Sequence, residues 1–251
     1  MKRLKFANGN AKLGKHVATF SLPAGYSCPG ALECLSKANK KTGKITDGKE
    51  TVFRCFSATS EALFPNVRQS RWVNFDLLKK CKTVEAMRDL ILASLPKKFT
   101  HVRIHVSGDF FNQMYFDAWI KVAQLLPEKT FYFYTKNIPV WLERIALVGN
   151  GHVPGTVKNI VPTASLGSRF DSLIREYNLR TAKVVYSAEE AERHNMEIDH
   201  DDFHAQNFGA DFALLIHGIQ PKGSKAQKAK VALKGVGTYG RGSKKISLTV
   251  V

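Results

Sequence analysis

Three cysteines are placed where their thiolates could meet. Cys28 and Cys34 lie in SCPGALEC with five residues between them, Cys55 follows in RCFSA after another twenty, and Cys81 is the fourth and last. Soft thiolates suit iron–sulfur clusters and zinc. Disulfides would be expected mainly of a secreted chain. The spacing lacks the paired CxxC knuckles of small zinc modules. It leaves two alternatives open, a metal site built from three or four of these cysteines or four separately buried thiols.

A second set of chemistry-bearing residues lies on and just after short β-rich runs. Ser107-Gly108-Asp109 closes one such run and Tyr134-Thr135-Lys136 the next. Strand ends of this kind carry catalytic and binding groups in α/β barrels, so Asp109, Lys136 and His105 are candidate acid–base or catalytic groups. Arg103, Ser107, Gly108, Tyr134, Thr163 and Ser165 are candidates for holding a cofactor. For Asp109 the alternative is a turn carboxylate beside the core aromatics Phe110, Phe111, Tyr115 and Phe116. Asp199, His200, Asp201, Asp202 and His204 form the densest group of hard ligands, with His217 nearby, but in no recognised ligand spacing, so a polar loop is expected there. His101 and His105 share a strand face without matching a metal motif.

The elements that would position these residues alternate in type. Residues 101–107, 130–136, 159–165, 182–187 and 212–217 read as strands, and 112–126, 139–148, 169–177 and 188–194 as helices, with Asn112 and Ser187 as N-caps and Pro127 and Gly149 as stops. Upstream, 17–22 and 52–56 read as the first strands and 67–81 with 84–95 as a helix pair. Residues 36–50 look like an exposed excursion. About seven strands separated by helices predict an α/β fold, a partial or open (β/α) barrel. Val102, Ile104 and Val106 alternate with Arg103, His105 and Ser107, so one face should meet helices and the other a polar lumen.

At 251 residues and 44% hydrophobic content the chain is expected to be one domain, with a core over 16–217 and a basic extension over 218–251. The net charge is +17, and no acidic residue precedes Glu33 or follows Asp211. Lys222, Lys225, Lys228, Lys230, Lys234, Arg241, Lys244 and Lys245 crowd the tail, a field that favours DNA or RNA through the basic termini. The bland alternative is a solvated, solubilising surface. SKAQKAKVALKGVGTYGRGSKK lacks the order of a P-loop and fits a phosphate-backbone clamp better than nucleotide hydrolysis. With no signal-like start and no membrane-length apolar run, a cytoplasmic protein that avoids membranes is expected.

Four stretches, SLPAGYSCPGALECLSKA, FRCFSATSEALFPNVRQSRWVNFDLL, RIHVSGDFFNQMYFDAWIKVA and EIDHDDFHAQNFGADFALLIHGIQPKGS, resemble the phage gene product 88 family along nearly the whole chain. More distantly, IHVSGDFFNQMYFDAWIKVAQLLPEKTFYFYTKN is similar to the strand–helix–strand unit of radical S-adenosylmethionine (SAM)-like phage proteins. That likeness implies a barrel, a [4Fe–4S] cluster at Cys28, Cys34 and Cys55, and SAM beside it. The compact CxxxCxxC triplet common in radical SAM enzymes is absent. Three thiolates would leave one iron open, whereas a fourth from Cys81 would close it. Two expectations follow: a radical-SAM-like barrel acting on a nucleic acid or nucleotide, or a non-catalytic nucleic-acid-binding phage protein stapled by an iron–sulfur or zinc site.

Overall fold

The computed structural model describes residues 2–9 and 13–235; Arg241, Lys244, Lys245 and the Gly-rich end of the tail lie outside them. The main sheet begins with β1 (Ala7–Asn8), antiparallel to β2 (Val17–Ser21). A separate hairpin, β3 (Ser36–Ala38) and β4 (Ile45–Asp47), and three helices, α1 (Phe56–Leu63), α2 (Pro65–Lys80) and α3 (Val84–Ser94), precede β5 (His101–Ser107). Then follow α4 (Gln113–Leu125), β6 (Thr130–Thr135), α5 (Ile138–Leu142), α6 (Ile145–Val148), β7 (Ile160–Ser165), α7 (Asp171–Glu176), β8 (Thr181–Val185), α8 (Ala188–Arg193), β9 (Glu197–Ile198), α9 (Phe203–Gln206), β10 (Phe212–Leu215) and α10 (Lys225–Ala232).

The eight-stranded sheet runs β1-β2-β5-β6-β7-β8-β10-β9, and every pairing except β1–β2 is parallel. From β2 to β8 each crossover steps one strand in the same direction. Because such crossovers are right-handed, the connecting helices fall on one face. That face is the main core. Phe20, Val102, Ile104, Phe131, Phe133 and Ile160 pack there against Leu78, Ile91, Phe116, Trp119 and Trp141. Asn112 caps α4 by accepting from Tyr115 N at 2.9 Å, and Ser187 caps α8 through Glu190 N.

The opposite face is mixed. Val17, Tyr132, Val161, Ala182 and Phe212 form an apolar floor with Ala205 of α9. Above it Arg103 donates to Asp202 at 2.6 Å, Tyr132 donates to the same carboxylate, and Arg180 donates to Thr163 and to the carbonyl of His204. The Asp199–His204 cluster is therefore a plug seated against this face. Asp199 receives Asp201 N and Ala205 N, and among the described residues no group of three His, Cys, Asp or Glu residues could hold a metal ion.

Several expectations are corrected. Residues 52–56 form no strand; their backbone is clamped instead by Gln220, which accepts from Arg54 N at 2.8 Å and donates to Arg54 O at 3.0 Å. The expected helix over 139–148 breaks at Glu143–Arg144, where Arg144 turns to pair with Asp117 on α4 at 2.8 Å. Residues 36–50 are an ordered hairpin, and the sheet has eight strands rather than seven because β1 and β9, two residues each, are too short for a periodicity signal. Among the described residues β1 and β9 do not pair, so the sheet is open. No helix of the described residues is long and apolar enough to cross a membrane.

Candidate functional site

The cysteine loops converge because the backbone is packed too tightly to let them go elsewhere. The loop after β2 lies across the ends of β6 and β7. A Cβ on Gly30 would sit 1.9 Å from Lys136 O, Ala31 bridges to Ser168, and Arg169 N donates to Gly30 O at 3.0 Å. Cys55 stands at the start of α1, its N–H donates to Ser36 Oγ of the hairpin, and the Phe56 ring lies 4.4 Å from that of His217, just beyond β10, tilted by 37°. Cys28, Cys34 and Cys55 thereby line one cavity of about 160 Å³, together with Arg103, Ser107, Gly108, Asp109, Tyr134, Lys136 and Ser165. Val184, Leu214 and Ile216 line it too. Strands β5 and β10, four places apart in the sheet, would be roughly 19 Å apart if it were flat, so the sheet must curve around this cavity.

Burial pushes all three thiols above their ordinary pKa. Cys34 rises to about 11 even though Lys136 pulls it down, and the charges of neighbouring thiolates and of Asp109 would push Cys28 and Cys34 further. In the absence of a cation bound among them they are neutral thiols. Cys81 is elsewhere. It ends α2 against the apolar core, its Sγ donates to Leu77 O, and it does not line the cavity. Of the two alternatives, three cysteines or four, this placement fits three.

Asp109 explains why the SGD and TK motifs occur together. Its Oδ1 accepts from Thr135 Oγ1 at 2.6 Å and Phe110 N at 2.7 Å, and its Oδ2 accepts from Lys136 N at 2.8 Å. Burial raises its pKa to about 6 against the pull of these donors. With both oxygens engaged by neighbouring groups, the carboxylate acts as a brace between the ends of β5 and β6. Gly108, at φ +82, is required because a Cβ would meet Ser27 Oγ at 2.5 Å. Lys136 Nζ donates to the carbonyls of Ser165 and Leu166, so its charge is held by neutral acceptors.

His105 departs from the expected alternation. Between the pairs Thr19–Arg103 and Ser21–Ser107, β5 has three residues where β2 has one. This bulge turns Ile104 and His105 to the helix face together. The His105 ring packs 4.6 Å from Phe110, its Nε2 lies 3.1 Å from Tyr115 Oη, and burial and Arg103 lower its pKa to about 3. Its carbonyl accepts from Arg103, and both His105 and Val106 border the cavity. Thr163 is buried under Arg180 and does not line the cavity. Tyr134 lines it, and its hydroxyl is buried with no hydrogen-bond partner among the described residues.

Two residues without a sequence signal hold the site together. Glu61 of α1, fully buried, accepts from Ala24 N at 2.9 Å and from Arg71 Nη1 at 2.8 Å, while Arg71 donates to Ser57 O at 2.9 Å. One ion pair thus fastens the segment entering Cys28 and the segment leaving Cys55.

No curated protein and no solved structure matches the chain. The Gene product 88 family matches residues 2–235, nearly the whole chain and every element that builds the cavity. The chain belongs to the phage family Gene product 88.

Proposed function

We propose that this is an iron–sulfur protein in which Cys28, Cys34 and Cys55 each give one thiolate to a [4Fe–4S] cluster inside an open (β/α) barrel. The observation that carries this reading is the convergence of three thiols, from two separate segments, on one curved-sheet cavity. The thiols do not close on a single point, since no three ligands among the described residues could hold one ion. A polynuclear cluster, each iron taking one thiolate, suits that spread better than one tetrahedral zinc. Buried thiols lose their protons only beside strong positive charge, which a cluster provides.

Bound there, a cluster with three cysteine ligands supplies a redox centre with one iron open to a small ligand. The chain's own residues indicate which ligand fits. Arg103 is already neutralised by Asp202, whereas Lys136, whose Nζ donates to the carbonyls of Ser165 and Leu166, makes no ion pair among the described residues and lines the cavity. Tyr134 adds a hydroxyl without a hydrogen-bond partner among the described residues, and Asp109 holds the strand ends in register. An amino acid carboxylate such as that of SAM matches this set, with a nucleic acid or nucleotide as the molecule acted upon.

The test is a series of Cys→Ala variants reconstituted anaerobically with iron and sulfide. Loss of the cluster is expected for positions 28, 34 and 55 and retention for 81. SAM binding, measured by calorimetry on cluster-loaded protein, is expected to weaken in Lys136→Met. Retention of the cluster after replacement of Cys28 or Cys55 would refute the ligand set. Intact clusters that bind no SAM would favour a purely structural staple.

A further inference from the structure

We infer that the β3–β4 hairpin, with Tyr26 beside it, is a docking platform for single-stranded nucleic acid. Residues 36–50 contain Lys37, Lys40, Lys41, Lys44 and Lys49 against two acids, Asp47 and Glu50; Asp47 is paired with Arg54, and Lys40 is paired with Asp76 of α2 at 2.7 Å. Lys41 and Lys44 are exposed and make no ion pair among the described residues.

The turn is held from behind, which leaves its lysines to the solvent. Arg68, itself buried, donates to the carbonyls of Lys40, Lys41 and Glu61. Asn39 Oδ1 accepts from Lys41 N and Thr42 N, and Gly43, at φ +74, comes too close to Arg68 for any side chain. A guanidinium buried to fasten backbone carbonyls presents the Lys side chains on a rigid support.

The aromatic half of the platform adjoins it. Tyr26 is 39% exposed, stands 4.8 Å from the Trp72 ring, and carries Lys37 Nζ 5.4 Å from its centroid; Lys40 Nζ lies 4.5 Å over Trp72. Lysines interleaved with an exposed ring match a strand whose phosphates meet ammonium groups and whose unpaired base stacks on the ring. A duplex could use only the charges. Tyr26 is two residues from Cys28, so the platform adjoins the segment that brings one cysteine to the cavity. The inference stands whether or not the cavity holds a cluster.

The experiment is fluorescence anisotropy of a labelled oligodeoxythymidylate with the full-length protein over a range of salt, with iron content and thermal unfolding recorded for each variant. Lys41→Gln/Lys44→Gln is expected to reduce the slope of log affinity against log salt by roughly 1.4, two phosphate contacts for a single strand. Tyr26→Ala is expected to weaken binding roughly tenfold at an unchanged slope. Replacing Lys225, Lys228 and Lys230 with Gln is expected to change the affinity less than the hairpin pair does. Wild-type slope and affinity in both hairpin-side variants would overturn the inference. So would equal affinity for a duplex of the same length, or a loss confined to the α10 variant.

Discussion

The buried pair Glu61–Arg71 gives the sharpest energetic test of how the cysteine segments are held. In Arg71→Met the Glu61 carboxylate stays buried with only Ala24 N and the more distant Ser107 hydroxyl, 3.4 Å away, and the Ser57 carbonyl loses its donor. Removing one member of a buried ion pair costs about 3–5 kcal/mol, or a fall in melting temperature of roughly 10 °C for a chain of this size. Glu61→Gln should cost less, about 1–2 kcal/mol. Its amide oxygen can keep the Ala24 and Arg71 contacts, and its nitrogen would take the place of Oε2, which has no hydrogen-bond partner among the described residues. The two variants should also differ with pH. Burial holds the Glu61 pKa above the ordinary carboxylate value despite the pull of Arg71. Its folded pKa exceeds the unfolded one, so the carboxyl favours folding when protonated, and that contribution is lost as pH rises through the folded value. Without Arg71 the folded pKa climbs further, so the Arg71→Met deficit should shrink on going from neutral to mildly acidic solution. That of Glu61→Gln should instead widen, because wild type gains from protonating Glu61 and the amide cannot. Urea unfolding at several pH values measures both. Equal costs, or a pH-independent Arg71→Met deficit, would refute the reasoning.

Other outcomes follow from the same geometry. Gly30→Ala forces a Cβ into the Lys136 carbonyl, so about 1–3 kcal/mol of stability should be lost, with iron content falling in reconstituted protein. Asp109→Ala strands two backbone N–H groups and the Thr135 hydroxyl, and chemical denaturation should show a loss of about 3 kcal/mol or more. Cys81→Ala should leave iron content unchanged by colorimetric assay, because its thiol is remote from the cavity.

Much of the frame was legible because it rests on local signals. The bounds of β5 and the caps Asn112 and Ser187 follow from β-branched alternation and N-cap chemistry, and the structure has them where the pattern puts them. The α/β class follows from alternating periodicities in the same way. What the sequence concealed depends on contacts between distant segments. The bulge that packs the His105 ring against Phe110 and Tyr115 arises from unequal lengths of β2 and β5 between shared pairs, which no single-strand pattern encodes. Residues 52–56 have strand composition, but their backbone groups bond elsewhere: Val52 N and Phe53 N to Glu33 O, Cys55 N to Ser36 Oγ, and Arg54 to the Gln220 amide 166 positions away. Glu61 and Arg71 look like solvated helix charges until α1 and α2 are packed together. For Asp109, weighed as either a mouth acid or a turn carboxylate, the local donor Phe110 N was within reach of a sequence reading, but Thr135 Oγ1 and Lys136 N, 26 and 27 residues onward, were not.

The central claim is that three cavity cysteines hold an iron–sulfur cluster, and the most direct measurement is elemental. Protein purified under strict exclusion of oxygen should be brown and contain about four iron and four acid-labile sulfide per chain, both lost when Cys28, Cys34 or Cys55 is replaced by Ala. One zinc per chain without sulfide, or a metal-free protein that takes up neither iron nor sulfide on reconstitution, would contradict it.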